Sequence, residues 1–274
     1  MVQEAPILKG KTVAITRALQ QSSETAELIK QMGGKPYLIP TLEFKGLNNL
    51  SAVENFIKEI NEGKVDYVIF MSVNVLKYLF ESAESLGLEN KLKKGLRKTK
   101  TVAVGPRTAK EMEEFKIQVD IIPEEYSSEG IAETLKKHGV SGKTILIPRA
   151  RGASPTLKRK LKEWGGNVKE VYVYEQQIPR DITFRDKFLE DLISGKIDAI
   201  IFGSPQSVKN MFQIFAKKIP TEKLRKMLNA KLTIVAIGPA TAKTLKEMGL
   251  RVDIIPNRYT FKEALKALAA CYNS

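Results

Sequence analysis

The chain has 274 residues, of which 43% are hydrophobic, and this length and composition suit two globular domains with cores of their own. No apolar run approaches the roughly 20 residues that cross a bilayer, and the N-terminus MVQEAPILKGK lacks the layout of a secretion signal, so we expect a cytoplasmic protein without a membrane partner. The net charge of +14 fits a Lys/Glu-rich solvated surface, a nucleic-acid-binding protein or an enzyme for a polyanionic small molecule, and does not by itself choose among them.

A short apolar strand followed by an arginine opens the chain and recurs in its middle. GKTVAITR occupies 10–17, and GKTILIPR lies 132 positions later at 142–149. Each strand leads into a predicted helix that ends in a pair of glycines, at Gly34 and at Gly166. Paired glycines at a helix end fit a C-cap in the left-handed conformation. The two occurrences therefore predict a duplicated strand–helix unit.

Both copies then continue with the same order of elements. Each has an extended run and a helix, at 35–44 and 48–62 in the first and at 169–177 and 183–194 in the second. The next strands, GKVDYVIFMS and GKIDAIIFGS, carry apolar runs typical of strands buried on both faces of a parallel sheet. Ser72 and Ser204 follow these runs as predicted N-caps, and Pro205 takes the first helical position, where its missing N–H is harmless.

The longest repeat reads VAVGPRTAKEMEEFKIQVDIIP at 102–123 and VAIGPATAKTLKEMGLRVDIIP at 235–256, and the two agree at 13 of 22 positions. A Gly-Pro-x-Thr turn within it is predicted to start a helix, which is followed by a strand ending at Pro123 or Pro256. A final helix closes each copy. This alternation predicts two α/β units with mainly parallel sheets, and the pattern taken alone divides the chain near residue 140.

Small polar and basic side chains follow the predicted strands, which is where a doubly wound sheet binds its ligands. The candidates are Arg17, Ser72, Thr108, Arg149, Ser204 and Thr241, with Gly105 and Gly238 allowing a ligand close to the backbone. The helices that begin there offer free N–H groups and positive dipole ends, which suit carboxylates or phosphates. The alternatives are that the serines and threonines only cap helices and that Arg149 lies in a solvated loop.

Several common sites are missing from the sequence. It has neither GxGxxG after a strand nor GxxxxGK[ST], the nucleotide-binding fingerprints. Cys271 is the only cysteine, which excludes an intrachain disulfide. His138, at a predicted helix end, is the only histidine, which excludes a Cys/His metal cluster and any Ser-His-Asp triad that does not use His138. The basic run at 91–100 lacks interleaved aromatics, so we interpret it as a solvated face. Tyr174, in VYVYEQQ, could donate a proton in a cleft or could simply be an amphipathic interface residue.

The segments TVAITR, IFGSPQSV, IGPATAKTLKEMG and VYEQ, together with the two-fold repeat, resemble the uroporphyrinogen-III synthase family over nearly the whole chain. The resemblance implies two α/β lobes joined by a two-stranded β linker, with the active site in the cleft between them. One lobe would hold 1–41 and 174–274 and the other 42–173, so the division near 140 would be wrong. Each lobe would take its first strand and helix from the other copy, and the turn at 235–256 would pack against the strand at 10–17.

The resemblance also implies an activity. Members of the family cyclise hydroxymethylbilane, a linear tetrapyrrole polycarboxylate, with loss of water and inversion of the last pyrrole ring, through an azafulvene cation and a spiro intermediate, and they use no metal or organic cofactor. A polycarboxylate substrate would give the basic charge a reason, because the enzyme must mainly hold one folded geometry of a molecule that also closes spontaneously. We expect a monomeric lyase that does not bind nucleic acid.

By position, Tyr174 resembles the family tyrosine that assists departure of the hydroxyl, and Thr241 resembles the important threonine of the Gly-Pro-x-Thr turn, with Thr108 as its partner in the other lobe. Ser72 and Ser204 match the serines after the buried strands, although Met71-Ser72-Val73 lacks the Ser-Pro found at 204–205. Two other classes remain open. One is a two-lobed protein that binds or senses small anions without chemistry, which would not need a tyrosine proton donor, and the other is an RNA-binding protein.

Overall fold

The computed structural model describes residues 7–273, and within them the chain forms nine strands and twelve α-helices. Two parts of the expectations above lie outside the described residues. They are residues 1–6 of the N-terminal segment and residue 274 at the end of the expected first lobe. The chain separates into two compact units, one running up to Glu43 and resuming at Gln177, the other spanning Phe44–Gln176. The lobes implied by the resemblance have their boundaries at 41/42 and 173/174 instead.

The first unit is a four-stranded sheet with helices on both faces. Its elements are β1 (Thr12–Ile15), α1 (Ser22–Gln31), β2 (Lys35–Leu38), α8 (Phe184–Ile193), β8 (Ala199–Phe202), α9 (Pro205–Phe215), α10 (Thr221–Lys231), β9 (Thr233–Ala236), α11 (Pro239–Glu247) and α12 (Phe261–Asn273). The strand order is β2-β1-β8-β9, with every pairing parallel. Alternate residues of these strands enter two separate apolar cores, so the sheet is buried on both faces.

The second unit is a five-stranded sheet. Its elements are β3 (Glu43–Gly46), α2 (Leu50–Asn61), β4 (Tyr67–Phe70), α3 (Val73–Ser85), α4 (Glu89–Leu96), β5 (Lys100–Ala103), α5 (Pro106–Glu114), α6 (Ser128–His138), β6 (Thr144–Ala150), α7 (Thr156–Glu163) and β7 (Asn167–Gln177). The strand order is β3-β7-β6-β4-β5. The pairings of β7 with β6, of β6 with β4 and of β4 with β5 are parallel. Two apolar cores again cover opposite faces.

The exchange of the two copies is confirmed by the strand pairing. β1 pairs with β8 from the second half of the chain, and β6 pairs with β4 from the first half. The same aspartate of each copy secures the exchange: Asp198 accepts a hydrogen bond from the backbone N–H of Thr12, and Asp66 accepts one from Thr144, each at 2.8 Å. The division near residue 140 is therefore wrong, because it would separate β6 from the strand it pairs with.

Most predicted elements are confirmed. The left-handed glycines after α1 and α7 are Gly33 and Gly165, with φ of +73° and +81°, and Ser72 and Ser204 are N-caps with Pro205 as the first residue of α9. The basic run lies on α4 and extends toward β5, and its apolar residues Leu92 and Leu96 are buried.

Three expectations need correction. The run at 35–44 is two strands in different sheets, interrupted at Pro40, which has no N–H to offer a ladder. The strands predicted before Pro123 and Pro256 shrink to single bridges, because the carboxylates of Asp120 and Asp253 bond the N–H groups of Thr101 and Ile234. The turn at 235–256 shares a sheet and an apolar core with β1, but β8 lies between β9 and β1.

Candidate functional site

The predicted site residues of each unit lie at or just beyond the carboxyl ends of its parallel strands. In the first unit, Arg17 follows β1, Ser204 follows β8, and Gly238 with Thr241 follows β9. In the second unit, Ser72 follows β4, Gly105 with Thr108 follows β5, and Arg149 is the penultimate residue of β6. Because parallel strands end at the same edge of a sheet, each unit gathers its candidates at one edge.

Ser72 and Tyr174 are brought together in the second unit. Their hydroxyl oxygens lie 3.4 Å apart, and Ser72 also accepts a hydrogen bond from the backbone N–H of Val75 at 3.4 Å as the N-cap of α3. Tyr174 is 5% exposed, and its ring stacks on Tyr78 with centroids 5.2 Å apart and meets Phe44 edge-on at 5.9 Å. The serine and the tyrosine therefore form a hydroxyl pair whose geometry is fixed by a helix cap and by two aromatic rings.

The aromatic neighbours of Tyr174 are part of this site, and the sequence did not indicate them. Tyr78 donates its own hydroxyl proton to the carbonyl oxygen of Phe44 at 2.9 Å, which ties α3 to β3. The spacing gave no clue, because Tyr78 lies six residues after Ser72, whereas residues on one face of a helix are three, four or seven apart. The neighbour in β3 could be found only once β3 was placed beside β7.

Ser204 caps α9 more completely than Ser72 caps α3. Its hydroxyl accepts a hydrogen bond from the N–H of Ser207 at 3.1 Å, and the hydroxyl of Ser207 accepts one from the N–H of Ser204 at 3.2 Å, which makes a capping box. The alternative that these serines cap helices is thus true of both, but only Ser72 also contacts a tyrosine hydroxyl.

The two Gly-Pro-x-Thr turns start α5 and α11 without any side-chain cap. Gly105 and Gly238 are their N-caps, and each precedes a proline at the first helical position. Both glycines are extended, at φ −178° and −172°, so they are not needed for an unusual backbone conformation. The glycines instead allow a close approach, because a Cβ at Gly105 or Gly238 would lie within 3.0 or 3.1 Å of the ring of Tyr126 or Tyr259.

The threonines of these turns are buried in both copies. Thr108 is 4% exposed and Thr241 is 2% exposed. Each is the third residue of its helix, where the first-turn N–H groups have no partner within the helix. Both threonines lie in first turns that we expect to bind carboxylates. Only the small exposed fraction of each residue is available for direct contact with a ligand.

Arg149 is held within the protein. It is 4% exposed, its Nη1 bonds a carboxylate oxygen of Glu170, and its Nη2 donates to the carbonyl of Ser154 at 2.8 Å. Lys158 and Tyr172 complete the cluster by donating to the other oxygen of Glu170 at 2.9 and 3.1 Å. Burial opposes ionisation of Glu170, but the hydrogen bonds from Lys158 and Arg149 outweigh it and lower the pKa of this carboxyl.

Arg17 stands in different surroundings from its counterpart. Its Nε donates to Gln21 and its Nη1 to Thr25, each at 3.2 Å, and its guanidinium lies 4.8 Å from the centre of the Phe261 ring. The neighbouring strands differ at the position that matters for these arginines: Ile15 pairs with Leu38 in the first unit, and the equivalent Ile147 pairs with Glu170 in the second. The first unit thus has a leucine where the second has the carboxylate that binds arginine.

Two further findings bear on the class of site. Among residues 7–273, no group of three His, Cys, Asp or Glu side chains could hold a metal ion. Over the same residues, no helix combines the length and the apolar character that spanning a bilayer requires. His138 is the last residue of α6, in agreement with the predicted helix end.

The chain is similar to known proteins over nearly its whole length. A family model described as uroporphyrinogen-III synthase HemD matches residues 23–266. A Methanothermobacter thermautotrophicus protein named provisionally as a uroporphyrinogen-III synthase is 34% identical, over 94% of this chain and 97% of that protein. Uroporphyrinogen-III synthase of Chlorobaculum parvum is 27% identical over 94% and 98%. The solved structure of a mutant Thermus thermophilus uroporphyrinogen III synthase has the same fold, with a TM-score of 0.64, 20% identity and coverage of 96% and 99%.

Proposed function

The chain belongs to the uroporphyrinogen-III synthase family, and we propose that it is the cyclising enzyme itself, a lyase acting on hydroxymethylbilane. The observation that carries this proposal is the Ser72–Tyr174 hydroxyl pair at the sheet edge, in a chain that the family model matches from 23 to 266. A protein that only bound small anions would not require a proton donor fixed in this way. The pair gives the family's reaction a group able to act on the leaving hydroxyl.

The first step is loss of the hydroxyl group from the end of the substrate. Ser72 already accepts a hydrogen bond from Val75, so its own proton can point toward Tyr174. With Ser72 donating, the proton of Tyr174 is available for the departing hydroxyl, which leaves as water while the C–O bond electrons go with it. The substrate becomes the azafulvene cation, and Tyr174 becomes a tyrosinate that the Ser72 hydrogen bond stabilises.

Ring closure then needs positioning more than acid–base chemistry. The carbon at the substituted end of the last ring attacks the cation, the spiro intermediate rearranges so that this ring is inverted, and the proton lost when the ring system closes restores Tyr174. The net change is substrate to macrocycle plus water, with no oxidation. Holding the chain in the folded geometry that closes to the inverted product is the main contribution that the protein makes.

Carboxylate binding is assigned to the helix starts at the two sheet edges. The uncapped N–H groups of α5 and α11, next to Thr108 and Thr241, and the starts of α3 and α9 at Ser72 and Ser204, suit the acetate and propionate groups of the substrate. Arg17 and Arg149 support the loops after β1 and β6. The net charge of +14 attracts the polycarboxylate from solution.

The test is an isomer assay. Purified protein given freshly prepared hydroxymethylbilane should yield mainly the type III macrocycle on chromatography. Buffer alone supplies the control, because the substrate closes spontaneously to type I. If the protein yields type I product alone, the proposed activity is overturned and the anion-binding alternative is left.

A further inference from the structure

The internal repeat continues past the point at which its sequence identity was first noticed. Three residues after Pro123 and after Pro256 stands a tyrosine, Tyr126 in one copy and Tyr259 in the other, each followed by a hydroxyl residue before the last helix. Both tyrosines are 61% exposed. An exposed residue is not retained by the demands of an apolar core, so its presence in two copies that have diverged elsewhere points to a shared task at the surface.

Each tyrosine lies on the Gly-Pro turn of its own unit. The Cγ atom of Tyr126 would be 3.0 Å from a Cβ at Gly105, and that of Tyr259 would be 3.1 Å from a Cβ at Gly238. The turn is the start of α5 or α11, so the ring stands at the sheet edge that carries the candidate site residues of that unit. The glycine lets one side of the ring rest on the backbone, and the exposed remainder of the ring is presented to solvent.

An exposed isoleucine stands four residues before each tyrosine. Ile122 and Ile255 are 45% and 44% exposed, although their neighbours Ile121 and Ile254 bridge to β5 and β9. Each copy of the repeat therefore exposes an aliphatic residue four positions before its exposed aromatic one. A flat apolar surface next to unpaired N–H groups matches a substrate built of aromatic rings that carry carboxylates.

We propose that Tyr126 and Tyr259 are substrate-contacting residues, each receiving the face of one pyrrole ring while the neighbouring helix start binds a carboxylate of that ring. This assignment rests on the proposed function. Each tyrosine orients one ring of a flexible linear tetrapyrrole, and the folded geometry of that molecule decides between type III and type I product.

The two surfaces differ in charge. Tyr259 follows the exposed Arg258, whereas Tyr126 follows two exposed carboxylates, Glu124 and Glu125, of which Glu125 accepts a hydrogen bond from Ser127 at 2.8 Å. With the exposed Arg107, two residues after Gly105, these exposed residues carry a net of one negative charge. A ring bearing carboxylates is therefore held more strongly at Tyr259, and Tyr259 should be the more important of the pair.

The experiment compares Tyr259→Ala, Tyr259→Leu and Tyr259→Phe with Tyr126→Ala in the full chain, using hydroxymethylbilane. We expect Tyr259→Ala to raise KM by about 3- to 10-fold and to raise the share of type I product, Tyr259→Leu to behave like it, and Tyr259→Phe to stay near wild type. Tyr126→Ala should act in the same direction but less. Ile193→Ala is the control, because Ile193 is 60% exposed and ends α8, just before the start of β8 and away from the carboxyl ends of the strands. It should change neither KM nor the share of type I product.

Thermal unfolding of every variant separates contact with substrate from structural support, since replacing a largely exposed side chain should leave the midpoint within about 2 °C. Unchanged KM and isomer share in both alanine variants, with a wild-type protein that makes type III, would overturn this inference alone. Losses that follow the unfolding midpoint instead of the aromatic character would overturn it too. A wild-type protein that makes only type I would overturn the proposed function and this inference together.

Discussion

The hydroxyl oxygens of Ser72 and Tyr174 lie 3.4 Å apart, although 102 residues separate them in the chain. Ser72 is placed by the start of α3 and Tyr174 by β7, and a stacked Tyr78 limits the movement of the tyrosine ring. A distance of 3.4 Å is long for a bond between hydroxyls, which favour about 2.7–2.8 Å. A pair so placed can shorten when charge develops on one partner, which is what proton donation by Tyr174 would cause.

Replacing Tyr174 by phenylalanine removes the proton donor and keeps the ring. We expect the turnover number to fall about 100-fold, at the low end of what a positioned acid contributes, because the uncatalysed loss of the hydroxyl is already feasible. The unfolding midpoint should change little, since the contacts with Tyr78 and Phe44 are made by the ring. Initial rates and calorimetry on the same preparation measure both. Full activity in this variant would remove Tyr174 from the mechanism.

A double-mutant cycle tests whether Ser72 acts through Tyr174. Ser72→Ala removes both the hydroxyl partner and the cap of α3, and loss of a cap costs about 1 kcal/mol of stability. We expect turnover to fall about 10-fold in the wild-type background and to change hardly at all when Tyr174 is already phenylalanine. Ser127→Ala, which removes the cap of α6 together with a hydrogen bond to Glu125, supplies an upper limit for the stability cost of a lost cap. Independent, multiplying effects on turnover would show that the serine does not act through the tyrosine.

Much of the fold follows from the sequence because its signals are local. The apolar runs of β4 and β8, the N-caps Ser72 and Ser204 and the glycines after α1 and α7 each depend on a few adjacent residues. The exchange of copies is different. GKVD and GKID present the same aspartate, so either could bond the N–H of Thr12 or of Thr144, and nothing local decides between them. Only the resemblance to a family predicted the pairing that the structure has.

The surroundings of the candidate residues could be predicted least where the repeat suggested that the two copies are equal. Arg17 and Arg149 occupy equivalent positions, but Arg149 is buried against Glu170, and the position equivalent to Glu170 is Leu38 in the other unit. The partner lies 21 residues away on a neighbouring strand, so no local pattern indicates it. Tyr126 and Tyr259 were also missed, because they stand beyond the identical segments and their exposure is a property of the folded chain.

Ionic strength should act on substrate capture. The chain carries +14 and the proposed substrate is a polycarboxylate, so screening weakens their attraction as the Debye length shortens from about 10 Å at 0.1 M salt to about 3 Å at 1 M. We expect KM to rise several-fold over that range while turnover changes less than about two-fold, because the proton-donor pair is largely buried. An uncharged osmolyte at equal osmolality is the control. A KM that does not depend on salt would contradict electrostatic capture.

Glu170 links stability to pH in the second unit. Its carboxylate, 8% exposed, binds Arg149 and Lys158, and its pKa is lowered from the ordinary value of 4.5. A lowered pKa in the folded state contributes stability that is complete above the unfolded value and is lost as the pH falls through the folded one. Glu170→Gln leaves the buried Arg149 without its counter-charge, so we expect it to lower the free energy of unfolding by about 3 kcal/mol at neutral pH.

The difference between wild type and Glu170→Gln should therefore stay constant down to about pH 5 and shrink below the ordinary value of 4.5, because protonation removes from the wild type the charge that the variant lacks. Urea unfolding at steps between about pH 7 and about pH 3 measures it. Glu163→Gln is the matched control: its pair with Arg159 is exposed on both sides, at 53% and 62%, and its loss should change stability by less than about 0.5 kcal/mol at any pH. A pH-independent difference for Glu170→Gln would mean that the amide disturbs packing and that the ion pair contributes nothing.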